Sequence, residues 1–289
     1  MSLSDKYIIP PISILDTRQG YWQKRKKFWS EIGLYGENGR SNVLSNAAAV
    51  KIGSQTGFKT IAPTTSKFDP VIAEIIYKWF APYKSNILDP FAGGVTRGGV
   101  AYFCGLNYTG FDLSNHQICS NVEILSNLGY YPNYICDDSD NVSKYFGNKE
   151  FDLLFTCPPY FNLEKYSNDK QDLSNMDWGS FVIKYQSIIN KSCKLLKDDR
   201  FAVFVVGDVR DKQGNYCLIP EITIDAFIKT GLKLYNRCVL LEQIGTKAMT
   251  CERPFLVNRK ISKAHQDILI FYKGDIKNIR NNFSKDILL

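Results

Sequence analysis

Between Asp69 and Tyr272, strand-sized apolar runs alternate with amphipathic segments of helical period, and this alternation constrains the fold more than anything else in the chain. The runs are "NILDPF", "NYTGFDL", "PNYICDD", "FDLLFTC", "RFAVFVVGD", "LKLYNRCVLL" and "HQDILIFY". Segments between them, such as "SNHQICSNVEILSNLG" and "DWGSFVIKYQSIINKSCKLLK", read as helices. Strands separated by helices pair in parallel, because a crossover long enough to hold a helix returns the chain in the same direction. The last two runs have no convincing helix between them and are expected to form an antiparallel pair at one end of the sheet. Ahead of the first run, "DPVIAEIIYKWF" puts Asp69 at an N-cap and Pro70 at the first helical position. Ile72, Ile75, Ile76, Trp79 and Phe80 then share one face.

In an open sheet of this kind, ligands bind beyond the carboxyl ends of the strands. Four of those ends carry polar chemistry. "NILDPFAGGVTRG" runs from a strand into Asp89, Pro90 and Phe91, then Gly93 and Gly94. Such a turn lets the backbone approach a ligand closely, and it also serves as an ordinary tight turn. G-x-G-x-x-G and a P-loop lysine are both absent, which counts against a dinucleotide or a nucleoside triphosphate. Asp112 ends the next run, where it can accept from the ribose hydroxyls of an adenosine-containing cofactor or cap the following helix. Asp137 and Asp138 end the third, placed to accept from an adenine amine or simply to form a turn. The fourth end is "FTCPPYF", in which Pro158 and Pro159 offer no N–H to a ladder and so stop the strand, leaving carbonyls beside Tyr160.

A seven-stranded mixed sheet ending in a reversed β-hairpin is the Rossmann-like α/β core of class I methyltransferases. "DPFAGG" followed by "TCPPY" resembles the S-adenosylmethionine-dependent DNA amino-methyltransferases, which act on adenine N6 or cytosine N4 and carry D-P-F-x-G and (Ser/Asp/Asn)-P-P-(Tyr/Phe/Trp) signatures. The resemblance covers about residues 64 to 273 and includes "KFDP" from Lys67, where that family has a further cofactor-contacting motif. The whole chain is also similar to methylases carried by phages and prophages. The resemblance implies S-adenosylmethionine as cofactor, with Lys67, Asp89, Pro90, Phe91, Gly93, Asp112, Asp137 and Asp138 as its binding residues. It implies Cys157, Pro158, Pro159 and Tyr160 as the catalytic corner, and DNA as partner, with the target base flipped out of the duplex.

The chemistry accounts for the tetrapeptide. The lone pair of an exocyclic amine is delocalised into its ring, so the amine is a poor nucleophile. Carbonyls at a Pro-Pro corner can accept its N–H bonds and hold the nitrogen in line with a methyl sulfonium. Tyr160 can stack on the extruded base. Cys157 departs from the family's Ser, Asp or Asn and is a weaker acceptor, which leaves adenine and cytosine both open. It precedes the prolines, unlike the Pro-Cys nucleophile of cytosine-C5 enzymes. Two alternatives remain: a methyltransferase of RNA bases or protein glutamine, which shares an Asn-Pro-Pro-Tyr clamp, and an inactive nucleic-acid-binding module with the same core.

The chain has 289 residues with 44% hydrophobic and 22% charged content, enough for one sizeable core, and a formal charge of +7 suits an anionic partner. The expected organisation is a basic N-terminal extension without regular structure over 1–66, a catalytic domain over 67–275 and a tail over 276–289. Within the extension "RQGYWQKRKK" carries Arg18, Lys24, Arg25, Lys26 and Lys27 with no acid, a DNA contact or a solvated helix face. The 22 residues 243–264 hold five basic residues against one acidic, among them Arg253, Arg259 and Lys260, and are a candidate small target-recognition insert. The polar stretch 161–179 is a candidate lid. Eight scattered cysteines without a C-x-x-C pair, only two histidines and no secretory signal point to a cytoplasmic protein with reduced thiols and no metal centre.

Overall fold

A computed structural model describes residues 3–34, 44–45, 67–148, 150–161, 164–165, 170–245 and 247–283. Its main sheet has eight strands: β1 (Ile14–Asp16), β2 (Asn86–Asp89), β3 (Asn107–Asp112), β4 (Asn133–Cys136), β5 (Phe151–Thr156), β6 (Leu196–Val206), β7 (Lys233–Leu241) and β8 (His265–Lys273). They lie in the order β1-β7-β8-β6-β5-β2-β3-β4. β8 runs antiparallel to both β6 and β7, and the other pairings are parallel. Apart from β1, this is the expected seven-stranded arrangement with its reversed hairpin, and the fold is the class I methyltransferase fold. Leu44–Ser45 and Glu164–Lys165 form a separate two-stranded pair.

Alternation along the strands divides the core into two layers. Ile87, Leu153, Phe155, Val203 and Ile270 face one side, while Leu88, Leu154, Phe204, Leu269 and Phe271 face the other. A sheet covered on both faces needs apolar residues at every position, and all six residues of β5 are buried. The first side is covered by helices α1 (Gly20–Glu31), α2 (Pro70–Phe80) and α3 (Thr96–Phe103), with α4 (Asn115–Ser126) beyond them. α5 (Trp178–Leu195) and α6 (Ile219–Lys229) cover the second. Asp69 caps α2 as expected, accepting from Val71 N–H at 3.0 Å.

The N-terminal segment departs from the expectation of an irregular extension. β1 adds an eighth strand outside β7, so the reversed hairpin is not the sheet's edge, and Thr17 Oγ1 donates to the Leu241 carbonyl at 2.8 Å. α1 then lies against α2, burying Trp22 and Trp29. Their indole N–H groups donate to Asp69 (3.2 Å) and Glu74 (2.8 Å). Leu34 is wholly buried over Gly99, where a Cβ would come within 2.3 Å of it. The boundary placed at residue 66 falls outside the described residues. At the other end, Phe283 packs edge-on to Phe201, with ring centroids 5.2 Å apart, and Asn278 donates to Asp199 at 2.9 Å, so residues 276–283 dock on the core. Among the described residues no helix is long and apolar enough to cross a membrane.

Candidate active site

The glycine turn after β2 is braced from below. Asp89 is fully buried and accepts from Phe91 N–H (3.1 Å), Arg97 Nε (2.6 Å), Tyr108 Oη (2.7 Å) and Thr156 Oγ1 (2.5 Å). Arg97, 5% exposed, also donates to the carbonyls of Phe91 (2.5 Å) and Ala92 (3.0 Å), and stacks over the ring of Phe68. Burial works against its charge, yet the Asp89 carboxylate more than offsets it and holds the guanidinium protonated. Asp89 is therefore the hub that shapes the turn, and its carboxylate faces protein. Pro90 is buried and its carbonyl takes the Ser139 hydroxyl; Phe91 is half-buried beside Tyr185.

Above this hub the turn opens toward the end of β3. Gly93 has φ +54°, a conformation that favours glycine, and its N–H donates to Asp112 Oδ2 at 2.9 Å. Asp112 Oδ1 accepts from Ser114 N–H at 2.8 Å, while Ser114, not Asp112, caps α4 through Gln117 N–H. Buried Asn121 donates to the Gly93 carbonyl at 2.8 Å and is itself held by Gln117 at 2.9 Å. Asp112 thus stands at the mouth of the glycine turn, where a carboxylate can also accept from a diol.

The third strand end is more occupied than its sequence suggests. Asp138 is buried, paired with Lys184, and caps the 3-10 turn Ser139–Lys144 through Asp140 N–H at 2.9 Å. Asp137 accepts from Asn141 (3.0 Å), Tyr145 Oη (2.8 Å) and Asp138 N–H (2.7 Å), and the first two of these hold its carboxyl below the ordinary range. Lys67 is half-buried just ahead of α2.

The Pro-Pro corner sits at the end of β5, the strand beside β2. Pro158 is buried, and Cys157, Pro159 and Tyr160 are half-buried. Tyr160 packs its ring edge against Gly207, where a Cβ would come within 2.9 Å, and its hydroxyl donates to Gln266 Oε1 at 3.0 Å. Cys157 Sγ lies 3.2 Å from the same hydroxyl. Phe161 takes φ +52° and turns its ring edge-on to Trp178 and Phe181, with centroids at 5.0 and 5.3 Å. Asp208, next to Gly207, has its carboxyl raised by burial and accepts from Val209 N–H (2.9 Å) and Ile219 N–H (3.3 Å). The lid reading of 161–179 falls partly outside the described residues.

The two basic segments differ in setting. Arg18 pairs with Asp16, Arg25 with buried Glu74, Lys26 with Asp69 at 2.9 Å, and Lys27 with Glu31 at 3.8 Å, so much of the N-terminal block's charge is spent within the fold. Lys24 is exposed. The 243–264 insert instead stands off the sheet: its helix Glu252–Asn258 buries no residue. Arg253 and Arg259 are exposed beside Met249, Leu256, Val257 and Ile261, each more than 60% exposed. Lys260 reaches the 207–218 loop at Gly214, where Arg210 stacks on Tyr216 at 3.8 Å.

Sequence reading named the strand ends and missed what holds them: Arg97, Tyr108, Gln117, Asn121, Thr156 and Gln266. One signal was present. "TRGG" at 96–99 pairs an arginine with two glycines, and glycines inside a helix mark a close approach of other groups. Among the described residues no group of three His, Cys, Asp or Glu could hold a metal ion.

The strand order, with a glycine turn after β2 and a carboxylate ending β3, defines a chain of the class I, S-adenosylmethionine-dependent methyltransferase fold. No protein-family model and no curated protein sequence matches it. Among solved structures, TrmN from Thermus thermophilus is similar at 14% identity over 71% of this chain and 49% of that one, with a TM-score of 0.49. The chain thus spans about half of that protein. The [4+2]-cyclase SpnF is similar at 12% identity over 71% and 81%, with a TM-score of 0.48. A TehB-like SAM-dependent methyltransferase from Corynebacterium glutamicum gives 15%, 70% and 86%, and 0.43. With these scores below 0.5, the fold assignment rests on the strand order, and no substrate follows from the neighbours.

Proposed function

We propose that the protein transfers the methyl group of S-adenosylmethionine to the exocyclic amine of adenine (N6) or cytosine (N4) in DNA. The observation that carries this reading is the adjacency of the glycine turn and the Pro-Pro corner. They end neighbouring parallel strands and are joined by the Thr156–Asp89 hydrogen bond, 2.5 Å long. A donor held at the first would have its acceptor held at the second.

The residues fit that cofactor. Gly93 at φ +54° opens the turn, and Asp112, already fixed by two backbone N–H groups, suits a ribose diol. Phe91 and Asp137 flank the adenine side of such a site, while Asp89, Pro90 and Asp138 support it from behind. When bound, S-adenosylmethionine supplies an electrophilic methyl group on a sulfonium. The protein's part is to place and orient. The Pro158 carbonyl and Cys157 sulfur accept from the target amine, and Tyr160, tied down at its hydroxyl, offers its ring to the base. No strong general base is needed, since the proton leaves once the nitrogen is cationic. The insert, with Arg253, Arg259 and Lys260 among exposed apolar side chains, supports a nucleic-acid contact, because such a surface suits phosphates and base faces together.

The test is transfer of labelled methyl to unmethylated genomic DNA, followed by nucleoside mass spectrometry. N6-methyladenine or N4-methylcytosine is the expected product. Label found instead in RNA, in protein or in 5-methylcytosine would refute the reading.

A further inference from the structure

Tyr160 is held from its far end by a chain of polar groups that leads away from the Pro-Pro corner. Its hydroxyl lies 3.0 Å from Gln266 Oε1 and 3.2 Å from Cys157 Sγ. Gln266 Nε2 donates to Glu242 Oε1 at 2.6 Å, and Glu242 Oε2 is paired with Lys247. The direction of the chain is set at this charged end. A carboxylate only accepts, so the Gln266 amide turns its NH2 group to Glu242 and its oxygen to Tyr160. That oxygen takes the tyrosine proton, with the Val205 carbonyl a longer alternative at 3.4 Å. The contact with Cys157 then runs from thiol to hydroxyl.

Resting on the amino-methyltransferase reading, we infer that Gln266 and Glu242 are positioning residues of the clamp. They fix where the Tyr160 ring stands and, through its hydroxyl, which way the Cys157 thiol points. With the S–H aimed at Tyr160, the sulfur presents lone pairs to a target amine. With the chain broken, the tyrosine proton turns onto the sulfur and competes for those lone pairs. Glu242 and Gln266 flank the 243–264 insert and Lys247 lies within it, so one chain of bonds joins the nucleic-acid face to the amine clamp.

Two variants test this. Gln266→Leu keeps the bulk and removes both bonds. It is expected to lower kcat about tenfold, roughly what loss of one hydrogen bond is worth, with S-adenosylmethionine affinity unchanged. Iodoacetamide labelling of Cys157, read on its peptide by mass spectrometry, is expected to quicken several-fold, because a hydroxyl that donates to sulfur stabilises the thiolate. In Gln266→Glu two carboxylates face each other at pH 8 and the chain fails. Toward pH 6 a proton shared between them restores both links, so activity relative to the unmodified protein climbs. Faster labelling in the first variant or a climbing ratio in the second supports the inference. Unchanged labelling together with a flat ratio overturns it. Labelling needs no methyl acceptor, so a failure of the functional reading shows separately, as an unmodified protein that methylates no nucleic acid.

Discussion

Arg97 and Asp89 form a buried ion pair, 2.6 Å from Nε to Oδ2, directly under the glycine turn. The guanidinium also holds two turn carbonyls, so its removal would leave a buried carboxylate and two carbonyls short of donors. Arg97→Met is expected to destabilise the fold by about 3–5 kcal/mol, the range for breaking a fully buried pair from one side. Urea unfolding measures it; a change below about 1 kcal/mol would mean that water reaches this pair.

Asp112→Ala removes the acceptor that ties Gly93 and is proposed to meet the ribose. S-adenosylmethionine affinity should fall by roughly 1.5–3 kcal/mol, the worth of a hydrogen bond to a charged group. Calorimetry on a variant of unchanged circular dichroism decides it, and undiminished affinity would reduce Asp112 to a turn-former.

For the N-terminal basic block the ion pairs divide the residues into two kinds. Arg25→Gln strips a partner from buried Glu74 and should cost about 1–3 kcal/mol of stability, less than a fully buried pair because Arg25 is 39% exposed. Lys24→Gln with Lys27→Gln should leave the free energy of unfolding unchanged within about 0.5 kcal/mol. Equal free energies of unfolding for the two variants would contradict this division.

The insert should carry the salt-sensitive interaction with DNA instead. Replacing Arg253, Arg259 and Lys260 with Gln is expected to reduce the log–log salt slope of DNA binding by up to about one unit for each phosphate no longer neutralised. A slope equal to that of the unmodified protein would assign this face to another partner.

Asp152 supplies a pH-dependent increment of stability. Burial raises its carboxyl, but Lys197, the Asn86 N–H and Arg200 outweigh burial and leave it below its ordinary value. The charged form is thus favoured in the folded chain. Its contribution is complete above the unfolded value, about 3.9, and is lost as pH falls through the folded one. Asp152→Asn should be less stable than the unmodified protein at pH 7, and the gap should shrink by pH 3. A constant gap across that span would show that charge is not what Asp152 contributes.

The alternation of apolar runs revealed seven strands because a sheet covered on both faces writes its pattern into consecutive residues, as in "FDLLFT". That Asp112 ends one strand and that Pro158 and Pro159 stop another was legible for a related reason: the apolar runs lead straight into them. β1 was not, since three residues carry no period and its partner lies more than 220 positions away. Asp89 was read as a ligand contact because a carboxylate in a turn looks the same whether it faces solvent or an arginine eight residues later. Only packing distinguishes the two, and packing also turned Lys26 and Arg25 of the basic block inward onto Asp69 and Glu74.

The meeting of Thr17 with Leu241 has a consequence for synthesis. Trp22 and Trp29 can dock as soon as Pro70–Phe80 has left the ribosome, but Ile14–Asp16 has no strand to join until Lys233–Leu241 emerges. The first strand of this sheet along the chain therefore waits for one of the last two to be made. A nascent chain halted before Lys233 should be cut readily by protease near Leu15 while its α1 tryptophans are already protected.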